Sequence, residues 1–325
     1  MSNKGALMEH VRNWKKNWTI QKLWERYSAL FLLIIVAGLF SIHSGEILQF
    51  SDFMGILLGN TALMIVVLGI AFVMIIGGID LSVGYQISLI SAVIAMLSME
   101  KLPDQMMIVG ALFVGLLCGL LNGVLVAYLN IVPFAATIAT QIIFRGVSYY
   151  LSNGSMVSYR SDVIRGITKS TVLGIRGDLW LLFLALLIFV VLMHFSFLGK
   201  YMRAIGLNEE SAQRAGVKIK GVKCFTYSLA GLFYAVAAII MTSIRGYAGS
   251  EIGIGMEITG ITAAYIGGVL WQARQPNVIR LILGVLIVSM IENRLPKVGI
   301  NSQVQYIITG LILVVAMGIH GRRKQ

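Results

Sequence analysis

Charge is scarce in this chain. Only 12% of its 325 residues are charged and 58% are hydrophobic, whereas a soluble domain carries about 25% charged residues. That excludes a soluble globular fold. Repeated apolar runs approach or exceed the roughly 20 residues that cross a bilayer, and no soluble domain of useful size is left between them. Cysteine is nearly absent: Cys118 and Cys224 form neither a CxxC pair nor a disulfide framework. The four histidines, His10, His43, His194 and His320, lie near segment ends without metal-ligand spacing, so no metal site is expected. There is no G-x-x-x-x-G-K-[ST] loop, no H-E-x-x-H, no G-x-S-x-G and no zinc-spaced Cys/His cluster. The chain is therefore not expected to be an enzyme or to hold a cofactor. Ionisable groups inside the runs are few. Asp80 adjoins a break, Arg145 lies near the outer end of a span and Glu292 ends a short one. This poverty argues against proton coupling, although sodium can be held by carbonyls and hydroxyls.

What charge exists is basic, with a net +12. Nucleic acid is not the reason, because the basic residues sit at segment ends and in loops, as the positive-inside rule requires. The pattern predicts an all-α polytopic membrane protein of about ten transmembrane helices with a broken-helix glycine motif. Residues 1–27 form a cytoplasmic amphipathic segment, with Leu7, Val11, Trp14 and Trp18 at helical spacing among Lys4, Arg12, Lys15, Lys16, Lys22 and Arg26. Residues 28–319 form the transmembrane domain. It includes an external 152–178 loop carrying Arg160, Asp162, Arg165, Lys169 and Arg176, and a basic internal 198–223 loop. Residues 320–325 form a cytoplasmic basic tail. An even number of spans puts both termini and the basic loop on one side. Gly115, Gly119 and Gly123 recur at four-residue spacing, which predicts close helix packing.

Two stretches interrupt this pattern. The first is Gly77-Gly78-Ile79-Asp80-Leu81-Ser82-Val83-Gly84, between apolar runs at 61–76 and 85–99. Paired glycines permit positive φ and close backbone approach, and Asp80 or Ser82 can cap the helix that restarts. One reading is a capped turn near the membrane surface. The other is a broken helix beside a translocation path, since non-helical backbone inside lipid must be buried in protein or line a wet cavity. Ile76-Gly77-Gly78-Ile79 recurs as Ile266-Gly267-Gly268-Val269, which suggests an internal duplication. The second stretch is the internal loop. Asn208 is an N-cap, Glu209 and Glu210 occupy the first turn, where negative charge suits the dipole, and Gly216 is a stop. A short helix over 209–215 is predicted, either a docking element or a surface loop with one helical turn.

These stretches resemble permease subunits of bacterial ABC importers for simple sugars of the ribose, xylose, arabinose and galactose type. Gly77 to Gly84 is similar to the family signature. Phe144-Arg-Gly-Val-Ser-Tyr149 fits the segment before the large external loop. Ala204-Ile-Gly-x-Asn208 with Ala212, Gly216 and Val217 fits the internal loop, and Glu257 to Gly268 fits the segment ending in paired glycines. The resemblance covers about residues 28–319. It implies an inner-membrane subunit that translocates a monosaccharide or similar small polar solute. Its partners would be a cytoplasmic ATP-binding subunit, a periplasmic solute-binding protein and a second permease subunit, identical or different. Gly77, Gly78, Asp80, Ser82, Gly84, Gly267 and Gly268 would border the substrate pathway. Asn208, Glu209, Glu210, Ser211, Ala212, Arg214, Ala215 and Gly216 would form the coupling helix that contacts the ATPase. After Gly268 the chain reads Val-Leu-Trp-Gln-Ala-Arg-Gln-Pro-Asn277 where the family has a second glycine-rich turn. This departure suggests one half of a heteromeric pair, or drift in a cytoplasmic loop. The alternative to an ATP-driven importer is an ion-coupled secondary carrier for a small polar solute.

Overall fold

The computed structural model describes residues 29–38, 41, 49–159, 161–268, 277–296 and 299–321. The amphipathic 1–27 segment, most of the altered 269–277 turn and residues 322–325 of the tail lie outside the described residues. The chain is helical: α1 (Ala29–Gly38), α2 (Phe50–Gly59), α3 (Thr61–Ile75), α4 (Val83–Met99), α5 (Asp104–Ala127), α6 (Pro133–Ser152), α7 (Asp162–Lys169), α8 (Gly177–Val190), α9 (Phe197–Leu207), α10 (Glu209–Arg214), α11 (Ile219–Arg245), α12 (Met256–Ile266), α13 (Val278–Arg294) and α14 (Ser302–Gly321). The strands described are a two-residue hairpin, β1 (Thr171–Val172) against β2 (Ile175–Arg176). Among the described residues, three helices are by themselves long and apolar enough to cross a membrane: α5, α8 with its continuation to Phe195, and α11. The bent pair α2–α3 makes a fourth.

At the centre stand α3 and α11. Every residue of α3 is buried, and the helix is apolar on all sides, as a helix enclosed by others in a membrane must be. Its Phe72 ring lies 4.6 Å from Phe189 and 5.4 Å from Phe233. The glycine stripe of α5 does what its spacing predicts. A methyl group on Gly115 would fall 2.6 Å from the Ala235 Cβ, one on Gly119 would meet the Tyr227 carbonyl, and one on Gly123 would lie 2.8 Å from the Cys224 Cα. Small residues let α5 and α11 touch backbone to backbone, which is how helices gain dispersion energy where lipid removes the hydrophobic drive. The opposite side of α5 exposes Val109, Phe113, Leu116, Leu117 and Leu120, a lipid-facing belt.

Residues 55–76, apolar and long enough for one span, are not one straight helix. They bend by 54° between α2 and α3. Asn60, with φ −118° and ψ 18°, sits at the corner and donates from Nδ2 to the Ile56 carbonyl at 2.7 Å. The next residue explains the corner. Thr61 Oγ1 donates to the buried Asp178 carboxylate at 2.8 Å, and Arg176 pairs with the same carboxylate at 2.8 Å. The polar 152–178 segment is thus folded. It contains α7, capped by Ser161 Oγ on the Ile164 amide, and the hairpin, and it is pinned to the start of α3. Within it, burial raises the Tyr159 phenol above its usual pKa, against the lowering pull of Arg165. A π-helical turn over Val191–Phe195 ends α8, and Ser196 starts α9, so the first half of the basic 198–223 loop is itself a helix.

Candidate functional site

Gly77 stops α3. Its φ is +80°, in the left-handed region that glycine enters without strain. The stop is hydrogen-bonded by Gly77 N to Met74 O (3.0 Å) and Gly78 N to Val73 O (2.9 Å). A Cβ on Gly78 would lie 2.6 Å from the Tyr227 hydroxyl, so α11 passes directly behind the break. The chain then reaches Asp80, which is buried, not interfacial. Asp80 Oδ1 accepts from the Ser82 amide (2.9 Å) and the Ser82 hydroxyl (2.5 Å), and Oδ2 accepts from Gln86 Nε2 (3.3 Å). Of the two candidate caps, Asp80 holds the turn. Ser82 occupies the N-cap position of α4 without a side-chain bond to the helix amides. Its hydroxyl faces sideways instead, accepting from Gln86 Nε2 (2.7 Å) and Asn122 Nδ2 (2.8 Å).

Asn122 carries the network outward. Its Oδ1 accepts from Thr140 Oγ1 at 2.6 Å, and Thr137 on the same helix donates to the Pro133 carbonyl and, at 3.4 Å, toward Ile79 O. The break is therefore held by α4, α5 and α6 together. Gln86, Asn122, Thr137 and Thr140 are fully buried partners that the reading by motif did not include. Their signal was present: an amide or hydroxyl inside an apolar run needs a partner at the same depth.

Gly84 sits where α4 meets the end of a non-helical segment, residues 246–255. A Cβ there would collide with the Glu257 carboxylate and lie 2.6 Å from the Gly253 carbonyl. The segment is hydrogen-bonded along α4 by Gly253 N to Ser88 Oγ (3.1 Å) and Gly249 N to Ser91 Oγ (3.2 Å). Irregular backbone at this depth is satisfied by protein, as a membrane demands. Gln86 Oε1, Tyr227 OH and Glu257 Oε2 are buried with no hydrogen-bond partner among the described residues. Among the described residues no His/Cys/Asp/Glu group could hold a metal ion.

Gly267 and Gly268 are not brought onto the 77–84 segment. They end α12, and the atoms nearest them belong to Arg280, Leu281 and Ala263. The two glycine pairs also differ in register. The positive φ falls on the first glycine at Gly77 and on the second at Gly268, where it is +81°. The helix stop is the same device displaced by one residue, so the matching tetrapeptide does not mark superposable turns.

The predicted internal helix is α10. Asn208 Oδ1 accepts from the Ser211 amide at 2.7 Å, and Gly216, with φ +85°, ends the turn. Ala212 alone of its residues is buried. Glu209, Glu210, Ser211, Gln213, Arg214 and Ala215 are exposed. Glu210 pairs with Arg214 at 2.6 Å, and Glu209 with Lys223 at the start of α11 at 2.7 Å.

Comparison with known proteins agrees with this architecture along nearly the whole chain. The ribose import permease protein RbsC of Haemophilus influenzae is 28% identical over 94% of this chain and 96% of its own. The galactose/methyl galactoside import permease protein MglC of the same organism is 31% identical, over 89% of this chain and 92% of its own. The autoinducer 2 import system permease protein LsrD of Yersinia enterocolitica is 28% identical, over 88% of each. No solved structure matches. The family described as the permease component of the branched-chain amino acid transport system matches residues 53–317, from α2 through the 77–84 break and α10 into α14; the chain belongs to that family and is a multi-pass permease subunit of an ABC importer of the bacterial inner membrane.

Proposed function

We propose that this subunit translocates a monosaccharide or similar small neutral polar solute, handed to it outside by a periplasmic binding protein and driven by a separate cytoplasmic ATPase. The observation that carries this reading is the pairing of a buried polar break with an exposed capped helix in one chain whose relatives import ribose and galactose. In the proposed arrangement the domain crosses the membrane about ten times with both termini cytoplasmic, and a second permease subunit, identical or different, completes the pore. Residues 77–84, with Asp80 and Ser82 fixed by Gln86 and Asn122, border the pathway toward its inner end; Gly267 and Gly268 shape the neighbouring stop. Residues Asn208 to Gly216 contact the ATPase. The 152–178 segment, folded and pinned to α3, faces the binding protein. An ion-coupled carrier is the weaker reading: the buried Asp80 has both oxygens engaged, one by Ser82 and one by Gln86 of α4.

The test is uptake of radiolabelled D-ribose and D-galactose by vesicles carrying the chain with the ATPase and the binding protein from its gene neighbourhood. Uptake is expected to require ATP and to persist with ionophores. Uptake that collapses with the ion gradient and ignores ATP removes the proposal.

A further inference from the structure

Helix α6 carries a polar stripe that runs outward from the break. Thr137, Gln141, Arg145 and Tyr149 follow at four-residue steps, so they lie on one side of the helix over about 18 Å. Thr137, at the lower end, belongs to the Asp80 network. Arg145, higher up, is exposed. Its neighbour Phe144 is buried in one apolar cluster with Cys118, near the middle of α5, and with Leu89 and Val93 of α4. An exposed guanidinium at mid-span is costly against acyl chains and marks a face turned to water or to a ligand.

The surroundings of Arg145 have a specific chemistry. The guanidinium carbon lies 5.7 Å from the Tyr85 ring centroid and 5.9 Å from that of Tyr149. Tyr149 OH donates to Glu251 Oε1 at 2.5 Å, on the non-helical segment beside α4. The guanidinium has no hydrogen-bond acceptor among the described residues, and the second oxygen of Glu251 has no donor among them. Planar donors, a carboxylate acceptor and two aromatic rings are thus gathered on one exposed face. The two charges cancel. An anion would meet Glu251 and a cation would meet Arg145, whereas a neutral polyol offers hydroxyls to both and C–H faces to the rings.

We propose that Tyr85, Arg145, Tyr149 and Glu251 form a binding subsite for a neutral polyhydroxylated solute on the outer side of the break, and that Gln141 leads from it to the Asp80 network. This rests on the sugar-import reading above. Arg145 and Glu251 hold the hydroxyls, and Tyr85 stacks. Tyr149 is the positioning residue, holding Glu251 in place.

The test uses the assembled importer, with D-ribose and D-galactose as probes. In a Cys118→Ala, Cys224→Ala background that retains uptake, Gln141→Cys and Arg145→Cys are treated with a charged, water-soluble methanethiosulfonate. The control is Phe113→Cys, on the lipid-facing belt of α5 and 57% exposed. Cysteines at 141 and 145 are expected to react, to be protected by whichever sugar is taken up, and to leave the control unreactive. Arg145→Lys and Glu251→Gln are expected to raise KM for uptake about tenfold while the ATPase still co-purifies, the pattern of lost solute binding. Tyr149→Phe should raise it less. Cysteines at 141 and 145 as unreactive as the control, or an unchanged KM in both Arg145→Lys and Glu251→Gln, overturn the subsite while sugar import stands. Failure of the unmodified importer to take up either sugar removes the import reading and the subsite with it.

Discussion

Two stretches stand apart from the long helices, the break at 77–84 and the short capped helix at 208–216, and they are held in opposite ways. At 77–84 the backbone is buried and its geometry is fixed by other helices: Gln86 on α4, Asn122 on α5, Thr137 and Thr140 on α6, Tyr227 behind. At 208–216 the backbone is exposed and its geometry is fixed by itself, through the Asn208 cap, the Gly216 stop and pairs to Arg214 and Lys223. A buried interruption is over-determined by tertiary partners and resists change. An exposed one is set by a few local terms and can be presented to another protein without disturbing the core.

Substitutions can break that contrast. Gly84→Val should have the largest effect. Its side chain would enter the space of the Glu257 carboxylate and the Gly253 carbonyl, overpacking that costs about 1–3 kcal/mol or more. Uptake should be abolished and the melting temperature in detergent lowered, with membrane insertion retained; wild-type uptake would show that α4 and the 246–255 segment do not need to touch. Asp80→Ala comes next. It leaves the Ser82 amide and hydroxyl without their acceptor, a penalty of about 1–3 kcal/mol for buried groups. A fall in detergent Tm of several degrees is expected, and Asp80→Asn, which keeps one acceptor, should recover part of it. Glu209→Lys with Glu210→Lys should reduce ATPase co-purification several-fold by reversing charge at the α10 N-terminus, with no change in Tm; undiminished co-purification would detach α10 from docking. Asn208→Ala removes a cap worth about 1 kcal/mol and should weaken the same co-purification less. Glu210→Ala alone should do least. It deletes an ion pair whose side chains are 74% and 78% exposed, and such pairs contribute about 0–1 kcal/mol. A large drop in Tm from any of the three α10 variants would erase the distinction between the two interruptions.

The contrast also explains what the sequence discloses. Helix α10 was legible to within one residue, 209–215 expected against 209–214 found, because caps, dipole charges and a glycine stop act within one turn. The glycine stripe of α5 was legible as a close-packing face, though not its partner α11. At 77–84 the glycines and Asp80 were visible, but the choice between a surface turn and a buried break was not, because it depends on residues 40 to 60 positions away. Asn122 meets Ser82, and Thr137 reaches Ile79, only after the helices pack. The bend at Asn60 was hidden for the same reason: its anchor, Asp178, is more than a hundred residues downstream. Apolar composition hides depth as well. Helix α6 reads as one more span, yet its polar residues are those that meet the break and the outer face.

Helix α11 gives these parts a mechanical relation. It runs unbroken from Ile219 to Arg245, 27 residues or about 40 Å. Near its first turn Lys223 grips Glu209 of the capped helix. Near its last, Ser243 is hydrogen-bonded to Thr168 of α7 at 2.8 Å, and just beyond it Ala248 bridges to Val157. Between those attachments Tyr227 leans on Gly78. One continuous helix thus touches the capped helix, the glycine turn and the folded 152–178 segment.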